Sequence, residues 1–411
     1  MSSKKLIYLD HAATTPADPE VVLAMEPYWR DVAANPSSLH RCGQAAIKAV
    51  DEAREAIATF MGAAHPREII FTGSATEANN LAIRGIVKNS VFDKPHVVTT
   101  AIEHASVLET VRALARQNFA SQNLGGREQT GTIEATILPV GSDGRVSPDA
   151  VRAAVKENTA LVSIGYANNE IGTLQPVAEI AKVIREFRKT QSPRLQPPAS
   201  SLQHPVFHTD AVQAAPWLDV DVKKLGVDMM TISAHKMYGP KGAGALYVKD
   251  GIQLEPVIYG GGQEYGLRSG TENVPAIVGF AKAAEMTGEW KKSAANIGVI
   301  EKFRDDAWKE VQAIAPNAEL NGPVKNRLPN NLNIFIPDVD PEIFLVALSE
   351  DGICVSSGSA CAARALGESH VITAIGKGGN DGCHLRITFG RQTTEDDIRA
   401  LVAAMKKRLS V

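Results

Sequence analysis

A lysine stands directly after an apolar run, at the point where a buried strand is expected to end. The run "VDMMTI" is followed by "SAHKMYGPKG", which contains Lys236. A buried ammonium is costly, and the desolvation that lowers the pKa of an amine also favours its neutral form, which can form an imine with an aldehyde. The alternative is a lysine that turns outward to solvent, as this residue type usually does. Lys236 is therefore a candidate covalent anchor for a carbonyl compound.

An acidic residue ends another predicted strand, 26 residues earlier. In "FHTDAVQAAP", Asp210 lies at the strand end and Gln213 comes three residues later. A carboxylate beneath a pyridine nitrogen keeps that nitrogen protonated and the ring electron-withdrawing, as pyridoxal phosphate chemistry requires. An aspartate at a strand end is also a common helix N-cap. The separation from Lys236 allows one further unit of a sheet, so both side chains can reach the same edge.

Two segments could bind the phosphate of such a cofactor. "FTGSATEANNLAI" predicts a strand, a glycine turn and a helix whose first turn holds Ala75 and Thr76. Backbone N–H groups and the helix dipole at such a start bind phosphate. Ser233 and His235 flank the lysine and could donate to the same phosphate from the other side. The alternative for the first segment is an ordinary helix cap.

Two polar side chains follow other predicted strands, at the level expected for the cofactor ring. His104, in "TTAIEHASVLET", could stack on the ring and move protons near neutral pH. The alternative is a structural histidine at a helix start. Asn169, in "GYANNEIGT", could reach the ring hydroxyl, although paired asparagines are also common in turns.

The elements that must position these residues alternate between about residues 60 and 250. Six short apolar strands are predicted there, separated by helical stretches: "EIIFTG", "HVVTTA", "ALVSIGY", "PVFHTD", "VDMMTISA" and "GALYV". This alternation predicts a largely parallel sheet covered by helices, with ligands at the carboxyl ends of the strands. "SSLHRCGQAAIKAVDEAREAIATFMG" predicts one long helix that is opened by serine and closed by Gly62.

The pattern changes after about residue 265. A helix-rich region from Pro275 to about Ala315 precedes the strand "NNLNIFIP" and a unit that runs through "HLRITFG" to a C-terminal helix. This change predicts a second, smaller α+β domain. Two polar segments without periodicity, residues 116–136 and 188–205, are predicted to be surface loops.

Composition excludes several classes of function. The formal charge is -3 and aromatic residues make up 5% of the chain, so no nucleic acid is expected as a partner. The start lacks a secretory signal and no run reaches the ~18 apolar residues of a membrane span, so a cytoplasmic protein is expected. Cys42, Cys354, Cys361 and Cys383 show no C-x-x-C spacing, so neither a metal site nor a disulfide framework is predicted.

Nine segments together resemble the cysteine desulfurases of the aminotransferase class V family. They occur in order from residue 8 to about residue 398: "YLDHAATTP", "NPSSLHRCG", "GSATEANNLAI", "YANNEIGT", "HTDAVQA", "SAHKMYGPKGAGALYV", "GGGQEYGLRSGTEN", "SSGSAC" and "LRITFGRQTTEDDI". The resemblance implies an α/β fold, that of a fold-type I pyridoxal phosphate-dependent transferase, and a homodimer. It implies a large domain over residues 16–264 with a mostly parallel sheet of the seven-stranded type. Residues 1–15 and 265–411 would form the smaller α+β domain.

The resemblance also assigns the cofactor contacts. It implies that Lys236 is the Schiff-base lysine, Asp210 the partner of the pyridinium nitrogen and Gln213 a contact of the ring oxygen. Four positions match phosphate contacts and a fifth the stacking histidine: Ala75, Thr76, Ser233, His235 and His104. Thr271, in "RSGTEN", matches a threonine that reaches the phosphate of the neighbouring subunit, and its alternative is a helix N-cap.

Other residues match the substrate site. Arg386, in "HLRITFG", matches the arginine that binds the substrate carboxylate through a bidentate fork. Its alternative is an ordinary strand arginine at the domain surface. Asn35, Asn169 and Arg268 are expected near the substrate or at the entrance of the site.

Cys361 separates a desulfurase from a general aminotransferase. It lies in "SSGSACAARALGESH", whose small residues predict a movable segment, and a reactive thiol must be accessible. In the family the matching cysteine attacks the sulfur of L-cysteine, releases L-alanine and keeps a persulfide. The sulfur would pass to an acceptor or scaffold protein for iron–sulfur cluster assembly or thiolation. Cys354 is interpreted as a packed core thiol, and Cys42 and Cys383 are weaker candidates for reactivity.

Two alternatives remain open at this stage. A selenocysteine lyase or another class V enzyme would keep the cofactor site but depend less on Cys361. A catalytically silent scaffold would keep only the fold, and the presence together of Lys236, Asp210 and Cys361 argues against it.

Overall fold

Helices and strands alternate along most of the chain. The computed structural model describes residues 6–116, 119–122, 128–190, 204–358 and 368–409. In these ranges the α-helices are α1 Pro19–Met25, α2 Pro27–Arg30, α3 Arg41–Met61, α4 Ala75–Lys88, α5 Ala105–Arg116, α6 Pro148–Ala154, α7 Val177–Thr190, α8 Val222–Leu225, α9 Val274–Lys291, α10 Ala294–Ile314, α11 Pro341–Glu350, α12 His370–Ala374 and α13 Glu395–Leu409. Short 3₁₀ helices span Pro66–Glu68, Ala234–Lys236 and Glu264–Gly266. None of the described helices combines the length and apolarity that crossing a membrane requires.

The strands form one large sheet and several small ones. They are β1 Ile7–Tyr8, β2 Ile69–Thr72, β3 His96–Thr100, β4 Phe119–Gln122, β5 Glu128–Gly131, β6 Glu134–Leu138, β7 Thr159–Ser163, β8 Val206–Asp210, β9 Met229–Ser233, β10 Gly244–Val248, β11 Glu319–Leu320, β12 Asn331–Pro337, β13 Ile353–Cys354 and β14 Gly382–Thr388.

The large sheet has the strand order β2-β10-β9-β8-β7-β3-β6. Strand β10 runs antiparallel to both of its neighbours, and the other pairs are parallel. All residues of β2, β3, β7, β9 and β10 are buried. Strands covered by helices on both faces need continuous apolar runs, which explains why these segments lack alternation. The predicted α/β fold with a mostly parallel seven-stranded sheet is confirmed.

The long predicted helix is α3, and its start differs from the expectation. It begins after His40, whose Nδ1 accepts a hydrogen bond from the backbone N–H of Gly43 at 3.2 Å, so serine is not the cap. It ends as predicted at Gly62, which adopts the left-handed conformation (φ 67°) that glycine tolerates best. The apolar stripe of α3, which includes Val50 and Ile57, packs into the core beside the large sheet.

A second apolar core lies around the smaller sheet β11-β12-β14. Strand β1 pairs in parallel with β13, and Leu9 belongs to this second core, so the N-terminal segment packs with the C-terminal region. Helix α9 instead packs on the core of the large sheet through Ile277 and Phe280. The division into two domains after residue 264 stays a prediction. Because α9 packs on the core of the large sheet, we propose that the boundary lies after α9.

The expectation for the first polar segment is partly wrong. Residues 116–136 include the antiparallel hairpin β4–β5 and the start of β6, which is an edge strand of the large sheet. Polar strands without apolar alternation resemble loops in a sequence, because periodicity marks a strand only when one face is buried. In the second segment α7 continues to Thr190, and residues 191–203 lie outside the described part of the chain.

A buried ion pair joins α3 to the 3₁₀ helix Glu264–Gly266. Arg54 donates from Nη1 and Nη2 to the two carboxylate oxygens of Glu264 at 2.7 and 2.8 Å, and the two side chains are only 7% and 2% exposed. The backbone N–H of Phe71 on β2 also donates to Glu264, at 2.8 Å. Glu264 and Tyr265 have positive φ angles of 49° and 58°, so this anchor holds an unfavourable backbone conformation in place.

We expect Arg54→Met to lower the free energy of unfolding by about 3–5 kcal/mol, because it leaves the Glu264 carboxylate buried without its partner. Arg67→Met is the matched control, since its pair with Asp250 is 61% and 60% exposed. That change should cost less than about 1 kcal/mol. Urea unfolding of both variants checks the prediction, and equal losses would contradict it.

Candidate active site

One cavity at the carboxyl edge of the large sheet collects most of the predicted site residues. Nine of them line it: Ala75, Thr76, His104, Asn169, Asp210, Gln213, His235, Lys236 and Arg386. The remaining wall consists of Ala12, Ala13, Ser74, Ile102, Glu103, Gly165, Ala167, Asn168, Gln175 and Val212. The carboxyl ends of parallel strands meet at one edge, which is why segments far apart in sequence contribute to a single cavity.

Lys236 and Asp210 reach the cavity from adjacent parallel strands. Asp210 is the last residue of β8 and pairs with Thr231 of β9, and Lys236 lies on the 3₁₀ turn that follows β9. The Lys236 Nζ donates to the backbone carbonyls of Ala12 and Ala13, the latter at 2.6 Å. The lysine therefore points into the cavity wall, and its alternative placement toward bulk solvent is wrong.

The Asp210 carboxylate is held on both oxygens. Its Oδ1 accepts from the backbone N–H of Val212 at 3.0 Å, and its Oδ2 accepts from Asn79 Nδ2 at 2.7 Å. A turn follows β8, with no helix before Asp221, so Asp210 caps that turn and is not a helix N-cap. Gln213, on the same turn, donates from Nε2 to the carbonyl of Ala12 at 2.9 Å.

The first turn of α4 faces the same cavity. Ser74 is its N-cap, and the Ser74 hydroxyl accepts a hydrogen bond from the backbone N–H of Glu77 at 3.2 Å. The first turn of α4 is therefore both an ordinary capped helix start and part of the cavity wall. Gly244 of β10 packs under this turn: a Cβ there would lie 2.6 Å from the carbonyl carbon of Ser74. A side chain at position 244 would therefore clash with the start of α4. On the other side His235 bonds through Nδ1 to the hydroxyl of Thr14 at 3.1 Å.

Besides Arg268, three predicted residues do not line this cavity. Ser233 is buried in β9 and donates to the carbonyl of Ala243 at 3.4 Å. Thr271 and Asn35 are exposed. The N-cap of α9 is Asn273, so the capping alternative for Thr271 is wrong. The expected cofactor and substrate roles of the three residues stay predictions, and Cys361 lies outside the described residues.

Arg386 is deeply buried in β14, where it is 1% exposed, so its alternative as a surface arginine is wrong. Its Nη2 donates to Asp10 Oδ1 at 2.8 Å and its Nη1 to the carbonyl of Asn169 at 3.2 Å. Asp10 also accepts from the Ser356 hydroxyl at 2.8 Å. Sequence reasoning missed Asp10, whose only signal was its place in "YLDHAATTP".

Arg268, expected near the entrance, forms an ion pair with Glu77. Its Nε donates to Glu77 Oε1 at 2.7 Å, while Glu77 Oε2 accepts from the backbone N–H of Gly73 at 2.9 Å. The arginine therefore ties the loop before α9 to the turn that precedes α4.

Glu103 is a buried acid that sequence reasoning also missed. Its carboxyl accepts from the Thr100 hydroxyl at 2.7 Å and from the backbone N–H of Gly165 at 2.9 and 3.1 Å. Burial raises its pKa to about 7, against the bonds from Thr100 and Gly165, and the nearby Asp210 adds to the rise. Its only clue in the sequence was its position beside His104, after β3.

The raised pKa of Glu103 predicts a pH-dependent stability. Between about pH 4.5 and 7 the unfolded chain ionises this carboxyl while the folded protein keeps it protonated, so its contribution to the free energy of unfolding falls as pH rises. Below this window the carboxyl is protonated in both states, and above it the carboxyl is ionised in both. Relative to the wild type, Glu103→Gln should therefore gain about 3 kcal/mol across the window.

Urea unfolding at a series of pH values measures this difference. Glu109→Gln, which replaces an exposed carboxylate on α5, is the control for the loss of one glutamate. A flat difference for Glu103→Gln between pH 4.5 and 7 would contradict the predicted ionisation.

The described cysteines are poorly placed for reactivity. Cys383 is buried, and burial raises its pKa to about 12. Cys354 is only partly buried, which corrects its interpretation as a packed core thiol, and desolvation followed by the charge of Asp10 raises its pKa. Cys42 is exposed on α3, and none of the three lines the cavity. Within the described ranges, no three His, Cys, Asp or Glu side chains group as metal ligands would.

Known proteins resemble this chain over nearly its whole length. The family model for aminotransferase class-V matches residues 7–401. The chain is 40% identical over 407 residues to the cysteine desulfurase IscS of Dictyoglomus turgidum, covering 98% of this chain and 94% of that protein. It is 39% identical over 401 residues to cysteine desulfurase IscS 1 of Archaeoglobus fulgidus, covering 97% and 95%.

Solved structures show the same likeness. A NifS-like protein superposes with a TM-score of 0.85 at 32% identity, covering 98% of this chain and 99% of that one. The structure described as SspA in complex with cysteine gives a TM-score of 0.76 at 35% identity, covering 94% and 99%. The likeness therefore extends over both the large sheet and the C-terminal region.

Proposed function

The chain belongs to the aminotransferase class-V family, and from that premise we propose that it is a pyridoxal phosphate-dependent cysteine desulfurase. Relatives that align with nearly the whole chain are cysteine desulfurases, so the activity is that of a cysteine desulfurase. In the proposed reaction L-cysteine gives L-alanine, and the sulfur remains as a persulfide on Cys361. One observation carries the cofactor assignment: the Lys236 amine and the Asp210 carboxylate lie on the wall of one cavity.

The chemistry of the cavity wall fits pyridoxal phosphate. Lys236 offers an amine for its aldehyde, Asp210 a carboxylate for its ring nitrogen and Gln213 an amide for its ring oxygen. Ala75, Thr76 and His235 are the proposed phosphate contacts, supported by the start of α4 on the cavity wall. When bound, the cofactor supplies an electron sink for the substrate Cα.

The side chains of the chain bind the substrate and hold its protons. Arg386 is the proposed clamp for the cysteine carboxylate, and Asp10 fixes the direction of its guanidinium. Lys236 and His104 are the proposed groups that hold and move protons beside the substrate Cα. The Cys361 thiolate would form a bond to the substrate sulfur while the bond from that sulfur to Cβ breaks, and the carbon then takes up a proton to become the alanine methyl group.

We also propose a homodimer that acts in the cytoplasm and hands its sulfur to an acceptor or scaffold protein. Thr271 is exposed and does not line the cavity of its own chain. A phosphate contact from this threonine would therefore serve the site of a neighbouring subunit. The proposal is supported by this placement together with the family resemblance of "RSGTEN".

An absorption spectrum of the purified protein is the direct test. We expect a yellow protein whose spectrum changes on addition of L-cysteine and which releases alanine and, with a reductant, sulfide in equal amounts. A colourless protein that pyridoxal phosphate cannot reconstitute would exclude the proposed function.

Arg386→Lys is expected to raise KM for L-cysteine about 10- to 100-fold, because an ammonium cannot replace two charged hydrogen bonds. The absorption of the bound cofactor should stay unchanged. Steady-state alanine formation measures KM, and Arg399→Lys, whose side chain is 70% exposed on α13, is the control. A normal KM for L-cysteine would contradict the substrate role, and so would loss of the bound cofactor.

A further inference from the structure

A row of buried hydrogen bonds joins Asp210 to His104. Asn79, on α4, donates from Nδ2 to Asp210 Oδ2 at 2.7 Å and to Ser106 Oγ at 2.8 Å. Ser106, at the start of α5, lies with its Oγ 2.8 Å from His104 Nδ1. Its backbone N–H also donates to the same Nδ1, at 3.1 Å. Asn79 is fully buried and Ser106 nearly so.

The directions of these bonds follow from the chemistry of each group. The Asp210 carboxylate only accepts, so the amide nitrogen of Asn79 must face it. The two hydrogens of that nitrogen serve Asp210 and Ser106, which makes the Ser106 oxygen an acceptor. The hydroxyl hydrogen of Ser106 is then available for His104 Nδ1, which receives two donors and carries no proton.

The carbonyl oxygen of Asn79 carries a free-energy penalty in this hydrogen-bonded arrangement. Asn79 Oδ1 is buried and has no hydrogen-bond partner among the described residues. A buried acceptor without a donor is unfavourable, and an apolar side chain at this position would avoid the penalty. The amide is therefore better explained by its two donated bonds than by packing.

We propose that Asn79 is a positioning residue that couples Asp210, at the ring nitrogen, to His104, at the ring face, and keeps His104 Nδ1 free of a proton. This inference rests on the proposed function for the roles of Asp210 and His104. A neutral His104 then carries its proton on Nε2. The proposed partner of the ring nitrogen and the proposed stacking histidine are thus linked through one side chain that does not line the cavity.

Substitution of Asn79 or Ser106 removes no charged group from the described cavity wall around His104. The ionisable groups that share the cavity wall with His104 are Glu103, Asp210, His235, Lys236 and Arg386. His370 also approaches, with its Nε2 2.9 Å from the carbonyl oxygen of Glu103. None of these groups is altered by substitution of Asn79 or Ser106, so a changed titration of His104 reports the hydrogen bonds themselves.

The test compares Asn79→Ala and Ser106→Ala by two measurements. In the cofactor-free protein, ¹⁵N NMR of the histidine ring nitrogens follows the protonation of His104, identified by its absence in His104→Gln. We expect the midpoint of this titration to rise by about one pH unit in Ser106→Ala and by less in Asn79→Ala, where the Ser106 hydroxyl is still present. The double variant should rise no further than Ser106→Ala, because Asn79 acts through Ser106. Pyridoxal phosphate affinity should fall about 10- to 100-fold in Asn79→Ala alone, because only that change removes a bond to Asp210.

Asn89→Ala, at the far end of α4, is the matched control and should change neither measurement. An unchanged His104 titration in Asn79→Ala would overturn the inference, as would an equal loss of cofactor affinity in both variants. If Asn79→Ala does not fold, Ser106→Ala still tests the inference. The midpoint of its His104 titration must rise while its affinity for pyridoxal phosphate stays normal. Failure of the wild type to bind pyridoxal phosphate would instead refute the proposed function and leave the NMR result to be judged separately.

Discussion

Lys236→Ala is expected to reduce cysteine desulfurase activity more than about 1000-fold and to remove the absorption of a lysine-linked cofactor. The physical reason is that the Lys236 amine has two proposed roles. It is the proposed anchor of the cofactor aldehyde and a proposed proton carrier at the substrate Cα, and the second role alone contributes roughly 10²- to 10⁴-fold. Absorption spectra of the reconstituted protein and alanine formation from L-cysteine measure the two losses.

Lys241→Ala is the control for this substitution. Lys241 lies five residues later in the same segment, is exposed and is absent from the cavity wall. The control should keep both absorption and activity. A Lys236→Ala protein that retained the lysine-linked absorption would show that the cofactor is attached elsewhere, and the assignment of the cavity would fail with it.

Cys361→Ser is expected to abolish the enzyme persulfide and to lower alanine formation more than about 100-fold, while the cofactor still binds. The described cysteines make poor substitutes, because burial raises the pKa of Cys383 to about 12 and none of them lines the cavity. Mass spectrometry of the protein after a single addition of L-cysteine locates the sulfur.

The attachment of the chain on either side of Cys361 supports this expectation. Five residues before it, the backbone N–H of Ser356 donates to the carbonyl of Arg386 at 3.2 Å, and that of Arg386 donates back at 2.7 Å. Nine residues after it, His370 contacts the carbonyl of Glu103. Arg386 and Glu103 both line the cavity, so Ser356 and His370, the described residues on either side of Cys361, are anchored beside it.

Cys383→Ser and Cys42→Ser serve as controls and should form the persulfide normally. Persulfide on Cys383 in place of Cys361 would overturn the assignment. Alanine formation from L-cysteine at the wild-type rate in Cys361→Ala would favour a selenocysteine lyase or another class V activity.

Residues with a local signal were the predictable part of the site. Lys236, Asp210 and His104 each follow an apolar strand, and a parallel sheet places such residues at one edge regardless of their order in the chain. Asp10, Glu103 and Asn79 had no comparable signal. Asp10 lies 376 residues from its partner Arg386, and Asn79 lies 131 residues from Asp210, so nothing in the neighbouring sequence indicates either contact.

Sequence patterns alone predicted the alternation of strands and helices, the long helix closed by Gly62 and the chemical types of residue at the strand ends. These features depend on periodicity, turn residues and short motifs, which act over a few positions along the chain. The three-dimensional fold was needed to reveal the antiparallel direction of β10, the packing of α9 on the larger core and the burial of Arg386. It also decided the raised pKa of Glu103, because desolvation and hydrogen bonding are set by groups that come together only when distant segments fold against each other.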